Sequence, residues 1–314
     1  MSNTHSLQDA IAQLPVAIQS LVSEALSNGP VLPSELVNDI LEAGEIEIGT
    51  LMIKLLPTAA TYARVPISNF HVGAVSLGMP PAPPIRGPGS LYLGANMEFV
   101  GQALSFGVHG EQSATNNAWL HGEVGLQALA INAAPCGYCR QFLYELTTAT
   151  KGFNILLKKN QQDPKDYSYT QETLIYYLPD AFGPKDLGLE GGLMEPEAHG
   201  LTISSTDTLA VAALAAANAS YSPYTKDYSG VAIQTSSGSV YAGRYAENAA
   251  YNPSMSPMES ALALLNMSEA ENTPYAIASA ALVEASSSAS QKSAAEDVLA
   301  SVAPGIQLGY FTAV

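Results

Sequence analysis

Apolar positions early in the chain follow a helical period. Ile11, Leu14, Ile18, Leu21, Val22 and Leu26 recur at spacings of one to four residues, which predicts a helix. Asn28-Gly29-Pro30 ends it. Pro33-Ser34-Glu35 restarts a second helix with Ser34 as N-cap. A third is expected from Glu47 through Leu56, stopping at Pro57 or resuming beyond it. From Phe70 the period changes. "FHVGAVSL" reads as a strand, and the Pro/Gly loop Met79–Ser90 cannot be a central strand. "LYLGANMEF" (Leu91–Phe99) resumes a strand and leaves it at Gly94. "HGEQSATNNAWLHGE" reads as a helix, "LQALAIN" as a strand, "CGYCRQFLYEL" as a helix and "FNILLK" as a strand. Strands alternating with helices predict an α/β sandwich.

The pattern then repeats weakly, at about 150 residues. "PISNFHVGAV" (Pro66–Val75) is similar to "PYTKDYSGVAI" (Pro223–Ile233), setting Pro66 against Pro223 and Gly73 against Gly230. "GANMEF" is similar to "GRYAEN", setting Glu98 against Glu247. "HGEQSA" set beside "PMESAL" places Glu111 opposite Glu259 and leaves Pro257 where a histidine would be. A period this long indicates a duplicated domain rather than a solenoid, whose repeats run roughly 20–50 residues. The expected organisation is a helical segment (1–56), a first domain (57–182), a Gly-rich linker (183–206) and a second domain (207–314).

Charge narrows the partners. Twelve Lys+Arg against 28 Asp+Glu give a net charge of −16. That argues against nucleic acid, whose backbone is met by clustered cations. The nearest basic run, "LLKKN", reads as a solvated strand end. No apolar stretch is long enough for a bilayer span. The N-terminus has no basic n-region, and Asp9 and Pro15 break its apolar stretch, so no signal peptide is expected. The expected compartment is the cytoplasm, where thiols stay reduced.

Chemistry concentrates in "AAPCGYCRQF", which holds both cysteines of the chain, Cys136 and Cys139. Residues at i and i+3 of a helix face one way, and Pro135 suits a helix start. Taken alone, the pair also reads as a redox couple or an incidental turn. Upstream, "VHGEQSA" supplies His109 as a third ligand. One imidazole and two thiolates with an open fourth position describe a catalytic zinc site, and such a position holds a water acidic enough to ionise near neutral pH. Glu111 is placed to shuttle its protons. H-x-E followed by P-C-x-x-C is the pattern of zinc deaminases. His71 and His121 read as surface or hydrogen-bonded residues, His5 and His199 as tail and linker residues, and Trp119 as core.

These residues carry a family resemblance. "GANMEF", "VHGEQSA", "AWLHGE", "PCGYCRQF", "YLPDAFGPKDL" and "YAENAAYNPS" together resemble the large, two-domain, homodimeric cytidine deaminases, over nearly the whole chain. The resemblance implies a three-layer α-β-α sandwich, duplicated, with a zinc-free second copy. It implies one Zn²⁺ on His109, Cys136 and Cys139, and Glu111 as general acid/base. It implies Phe70 against the base and Asn96 and Glu98 on the ribose 3′-hydroxyl, as i and i+2 of a strand. In the second copy Glu259 is expected to survive in a structural role, and Tyr251 to close a partner subunit's pocket. Gly110, whose backbone N–H would meet the pyrimidine, replaces the family's usual alanine. The missing methyl predicts a slightly enlarged pocket floor and a helix start looser by roughly 0.5–1 kcal/mol. The activity implied is hydrolysis of cytidine and 2′-deoxycytidine to uridine and 2′-deoxyuridine with loss of ammonia, as in pyrimidine salvage. The alternatives are a zinc-bearing pseudoenzyme that binds nucleosides, a deaminase of another nucleobase substrate, polynucleotide included, and a thiol-disulfide oxidoreductase.

Overall fold

The computed structural model describes residues 6–160, 163, 165–269 and 275–314; His5 lies outside them. The chain divides into two compact units, 1–97 with 109–181 and 98–108 with 182–314.

The first unit opens with helices α1 (Leu7–Ala12) and α2 (Val16–Leu26), parted at Pro15. A two-residue strand, β1 (Val31–Leu32), precedes α3 (Ser34–Gly44) and α4 (Ile48–Ala60). Ser34 is the first residue of α3 rather than its cap, which is Pro33; the Ser34 hydroxyl donates instead to Arg86 O and accepts from the Gly89 N–H. α4 runs through Pro57 for one further turn. Then come β2 (Gly73–Gly78), β3 (Leu91–Ala95), α5 (Gly110–Leu120), β4 (Leu126–Ile131), α6 (Gly137–Tyr144), β5 (Asn154–Lys158), β6 (Tyr169–Thr173) and the short α7 (Leu174–Tyr177). The sheet order is β1-β3-β2-β4-β5-β6, with only β4 and β5 parallel.

Two glycines show why three layers form. Neighbouring residues of a strand point to opposite faces, and directly paired residues share one. Gly73 faces α4, and a Cβ there would overlap the Leu56 carbonyl and the Ala60 backbone. Gly94, paired with Ala74 on the other face, lies against Ala114 of α5 with no room for a Cβ. Helices therefore press the sheet from both sides. Leu51, Leu55, Leu56, Leu91, Leu93 and Leu129 are sealed between them, each contributing about 1.5–3 kcal/mol by leaving water.

The second unit repeats this plan with α8 (Thr208–Asn218), β7 (Ser229–Thr235), β8 (Val240–Arg244), α9 (Pro257–Ser268), β9 (Ile277–Ala285), α10 (Lys292–Val302) and β10 (Leu308–Ala313). Its order β10-β9-β7-β8 matches β5-β4-β2-β3, and only β9 and β10 are parallel. Gly230 faces α8 and Gly243 faces α9, as Gly73 and Gly94 face α4 and α5. The α/β, three-layer, duplicated fold and the small N-terminal helical segment are all present.

Three local expectations need correction. The strand predicted from Phe70 starts at Gly73. β3 ends at Ala95, so Asn96 and Glu98 follow the strand rather than lie in it; their alternation survives, both half-buried around a buried Met97. The helix comparison is out by one residue. The cap of α5 is His109, whose N–H donates to Gln112 Oε1 at 3.1 Å; the cap of α9 is Ser256, whose N–H donates to Glu259 Oε2 at 2.7 Å. Ser256 thus matches His109, Pro257 matches Gly110, Met258 matches Glu111, and Glu259 matches Gln112. Glu259 is a capping residue, not the survivor of a catalytic glutamate.

Candidate metal centre

Two helix starts build the site. His109 is the N-cap of α5 and Cys136 the N-cap of α6. Cys139 lies in the first turn of α6 and is fully buried, whereas Cys136 is exposed. Pro135 sits one residue before the cap rather than inside the helix. Its carbonyl accepts from Arg140 Nε at 2.8 Å, and Arg140 Nη1 also donates to Tyr177 O at 2.9 Å. One guanidinium therefore ties the cysteine loop to the end of α7.

The ligand atoms of His109, Cys136 and Cys139 all lie within 4.8 Å of one another, the sole such group among the described residues. His109 Nδ1 is 3.7 Å from Cys136 Sγ, and the ring stacks on Tyr138 with centroids 5.0 Å apart. Hydrogen bonds from Cys139 and His109 pull the Cys136 thiol down to about 3, and the same contact holds the His109 imidazolium above its usual range. Cys139 is pushed well up by its bond to Cys136 and by burial. One sulfur thus already gathers two donors. Tetrahedral zinc, with bonds of about 2.0–2.3 Å, sets its ligand atoms about 3.5–3.8 Å apart. The soft donor set, its spacing and its three-fold count fit zinc with one position open.

Glu111 belongs to the first turn of α5 and is 3% exposed. Burial raises its pKa, and against this its carboxylate accepts from the Cys139 thiol. Phe70, by contrast, is 60% exposed, which excludes an ordinary core role. Asn96 follows β3; its Oδ1 accepts from the Val72 N–H and its Nδ2 donates to Phe70 O, both at 2.9 Å. A side-chain amide keeps one lone pair and one N–H beyond these two bonds.

The expectation for Gly110 is overturned. A Cβ built there would come within 2.8 Å of Val72 Cγ1. Val72 fills the space of the missing methyl, so the pocket floor is not enlarged. Val72 and Arg140 escaped the sequence reading; each acts through a contact between distant segments that no spacing announces.

The remaining histidines stay apart from the cluster. His71 is half-buried before β2. His121 Nδ1 lies 2.8 Å from Asn117 O at the end of α5. His199 Nε2 lies 2.7 Å from Ser220 O, and its ring stacks on Tyr228 at 3.6 Å. Trp119 is buried, and Lys158 of "LLKKN" closes a strand end by donating to Asp163 O.

Comparison with known proteins bears on the family. Residues 48–153 match the cytidine and deoxycytidylate deaminase zinc-binding region, and residues 174–296 match a second family of the same description. A cytidine deaminase of Photobacterium profundum is 42% identical over 98% of this chain and 99% of its own. One from Aliivibrio fischeri is 39% identical, covering 97% of both chains. A solved cytidine deaminase from Mycobacterium tuberculosis, 26% identical, aligns over 44% of this chain and 99% of its own with a TM-score of 0.34. No helix among the described residues is long and apolar enough to cross a membrane. With a His/Cys/Cys centre, a buried glutamate beside it and relatives of this identity along the full length, the chain belongs to the cytidine deaminase family.

Proposed function

We propose that the protein hydrolyses cytidine and 2′-deoxycytidine to uridine and 2′-deoxyuridine, releasing ammonia. The observation that carries this reading is Glu111, buried in the first turn of α5 and hydrogen-bonded to Cys139 of the three-donor cluster. His109, Cys136 and Cys139 would hold zinc, which supplies Lewis-acid activation of water. Glu111 takes one proton from the attacking water and passes it to pyrimidine N3, then takes the second from the new C4 hydroxyl and gives it to the departing amino group, so that the C4 carbonyl forms as the C4–N bond breaks and ammonia leaves. The Gly110 N–H stands at the free start of α5, where backbone donors are not used by the helix, and meets the pyrimidine. Phe70 packs on the base. Asn96 uses its remaining donor and acceptor on the ribose 3′-hydroxyl, a role shared with Glu98.

The protein is expected to act as a homodimer, on free nucleosides in the cytoplasm, in pyrimidine salvage. Its acidity supports small substrates over polynucleotides. Tyr251, 67% exposed, is the aromatic offered to a neighbouring subunit. The test is ammonia release from cytidine by purified protein, with zinc determined in parallel and removed by a chelator. About one zinc per chain, with release lost on chelation and regained on zinc addition, is expected. Full zinc with no release from either nucleoside would overturn the reading.

A further inference from the structure

The backbone that carries Phe70 is not part of the sheet, yet its carbonyls are all paired. β2 begins at Gly73, so Phe70 and His71 have no strand partner, and Val72 keeps one backbone bond, its carbonyl accepting from the Asn96 N–H at 3.4 Å. Buried or half-buried backbone groups need one, and two asparagine side chains provide it. Asn96, after β3, takes the Val72 N–H and the Phe70 carbonyl. Asn132, after β4, does the same one residue out of phase. Its Oδ1 accepts from the Gly73 N–H and its Nδ2 donates to His71 O, both at 3.2 Å, while its own N–H donates to Gly73 O at 3.3 Å. A side-chain amide carries donor and acceptor as a peptide group does, so each asparagine supplies one extra rung.

The second unit shows what happens without them. The positions matching Asn96 and Asn132 are Tyr245 and Val283, by the pairings around Gly73 and Gly230. There the strand starts one residue earlier, with Ser229 paired to Glu284, and the Ala285 N–H donates to Tyr228 O where Asn132 reaches His71 O. Asp227, matching Phe70, is fully buried. Backbone pairing extends the sheet in the second unit; side-chain pairing stops it in the first and leaves Phe70 outside.

We infer that Asn132 is a positioning residue, which locks the Phe70–Gly73 backbone to the loop that carries Cys136, four residues downstream. This rests on the reading above that Phe70 meets the pyrimidine. The role acts on the grip on the base, not on the chemistry, so it separates KM from kcat.

Asn132→Ala and Asn132→Asp test it. The aspartate keeps an acceptor for the Gly73 N–H but sets a second oxygen against His71 O. In both variants KM for cytidine should rise about tenfold, a loss comparable to one or two hydrogen bonds. Binding of the product uridine, by calorimetry, should weaken in step. Zinc content should match the parent, kcat should stay within about threefold, and in Asn132→Ala the Gly73 amide should exchange faster. Unchanged Gly73 exchange in Asn132→Ala would overturn the brace itself. Faster exchange with KM and uridine binding unchanged would overturn its role in holding the base, as would a fall in kcat alone or a loss of zinc. If Asn132→Ala fails to fold, the aspartate variant carries the KM, uridine-binding and zinc readouts. A parent that ignores cytidine would remove the functional reading instead, leaving Gly73 exchange and uridine binding to decide the brace.

Discussion

The starts of α5 and α9 share a backbone and share almost no chemistry. Each helix begins at a cap whose N–H is taken by a side chain three residues on, Gln112 in one and Glu259 in the other. Each passes a glycine of the neighbouring strand at the same point, Gly94 against Ala114 and Gly243 against Ala261. Between these fixed features His109 becomes Ser256 and Glu111 becomes the fully buried Met258. The space matching Phe70 and the cysteine loop is filled by a polar cluster. Asp227 accepts from Gln291 Nε2, and Glu284 accepts from Ser290 Oγ, Tyr310 OH and the Gln291 N–H. The lesson is that capping and close helix–strand approach maintain this fold, while the reactive residues are separable additions.

The largest expected effect separates the two glutamates. Glu111→Gln should cut cytidine turnover by about 10²–10⁴-fold with zinc still bound, as measured by initial rates and metal analysis. Near-normal turnover would remove Glu111 from the proton path and erase the contrast with Met258.

The next concerns the buried acids of the second unit. Asp227 Oδ1 is buried with no hydrogen-bond donor facing it, and Glu284 is its nearest charge. Burial pushes the Asp227 carboxyl up to about 7, against Gln291, with Glu284 and then Glu247 raising it further. Tyr245 and Tyr310 are the other titratable groups facing it. The unfolded carboxyl ionises near 3.8. The folded state therefore loses stability as pH rises from about 4 to about 7, and the penalty is constant above. Asp227→Asn, which keeps the Gln291 bond and can donate to Glu284, should be more stable than the parent by on the order of 2–4 kcal/mol at pH 8. That advantage should shrink toward pH 4 in urea titrations. Parallel stability curves across that range would sink this account of the buried Asp227 carboxyl.

A smaller effect is expected at Gly110. Gly110→Ala drives a methyl against Val72 Cγ1, and overpacking of this kind costs about 1–3 kcal/mol. Val72→Ala in the same chain should recover part of that loss. A single variant as stable as the parent would show that Val72 does not fill the methyl's place. Smallest of all in its effect on turnover, Glu259→Gln recreates the Gln112 cap and should leave the activity untouched, and at pH 8 it should be no less stable than the parent, whose buried Glu259 carboxyl is pushed up to about 7 by burial. A marked loss of activity would return Glu259 to the functional residues.

Much of this was readable from sequence because the strongest signals are local. The 3.6-residue period gave the helices, the Pro/Gly loop bounded β2 and β3, and His-x-Glu with Pro-Cys-x-x-Cys placed four site residues at two helix starts. What escaped was set at long range. β1 and β6 are edge strands, two and five residues long, whose pairing depends on strands distant in sequence. The true start of β2 depends on Asn96 and Asn132 replacing backbone partners. The one-residue slip at Glu259 arose because identity was matched to identity; the cap geometry shows that a glutamate can replace a glutamine when the shared task is accepting a backbone N–H.

The two-residue β1 has a consequence for how the chain can be shortened. Val31 and Leu32 pair with Tyr92 and Leu91, and Leu93 N–H reaches Pro30 O. All five residues of β3 are buried as a result, whereas β8, its counterpart at a sheet edge, is mostly half-buried. Trimming the N-terminal helices past Leu32 would leave a bare apolar border of unpaired amides and carbonyls. Such borders recruit strands from other molecules, so the shortened chain should clump rather than remain a smaller enzyme.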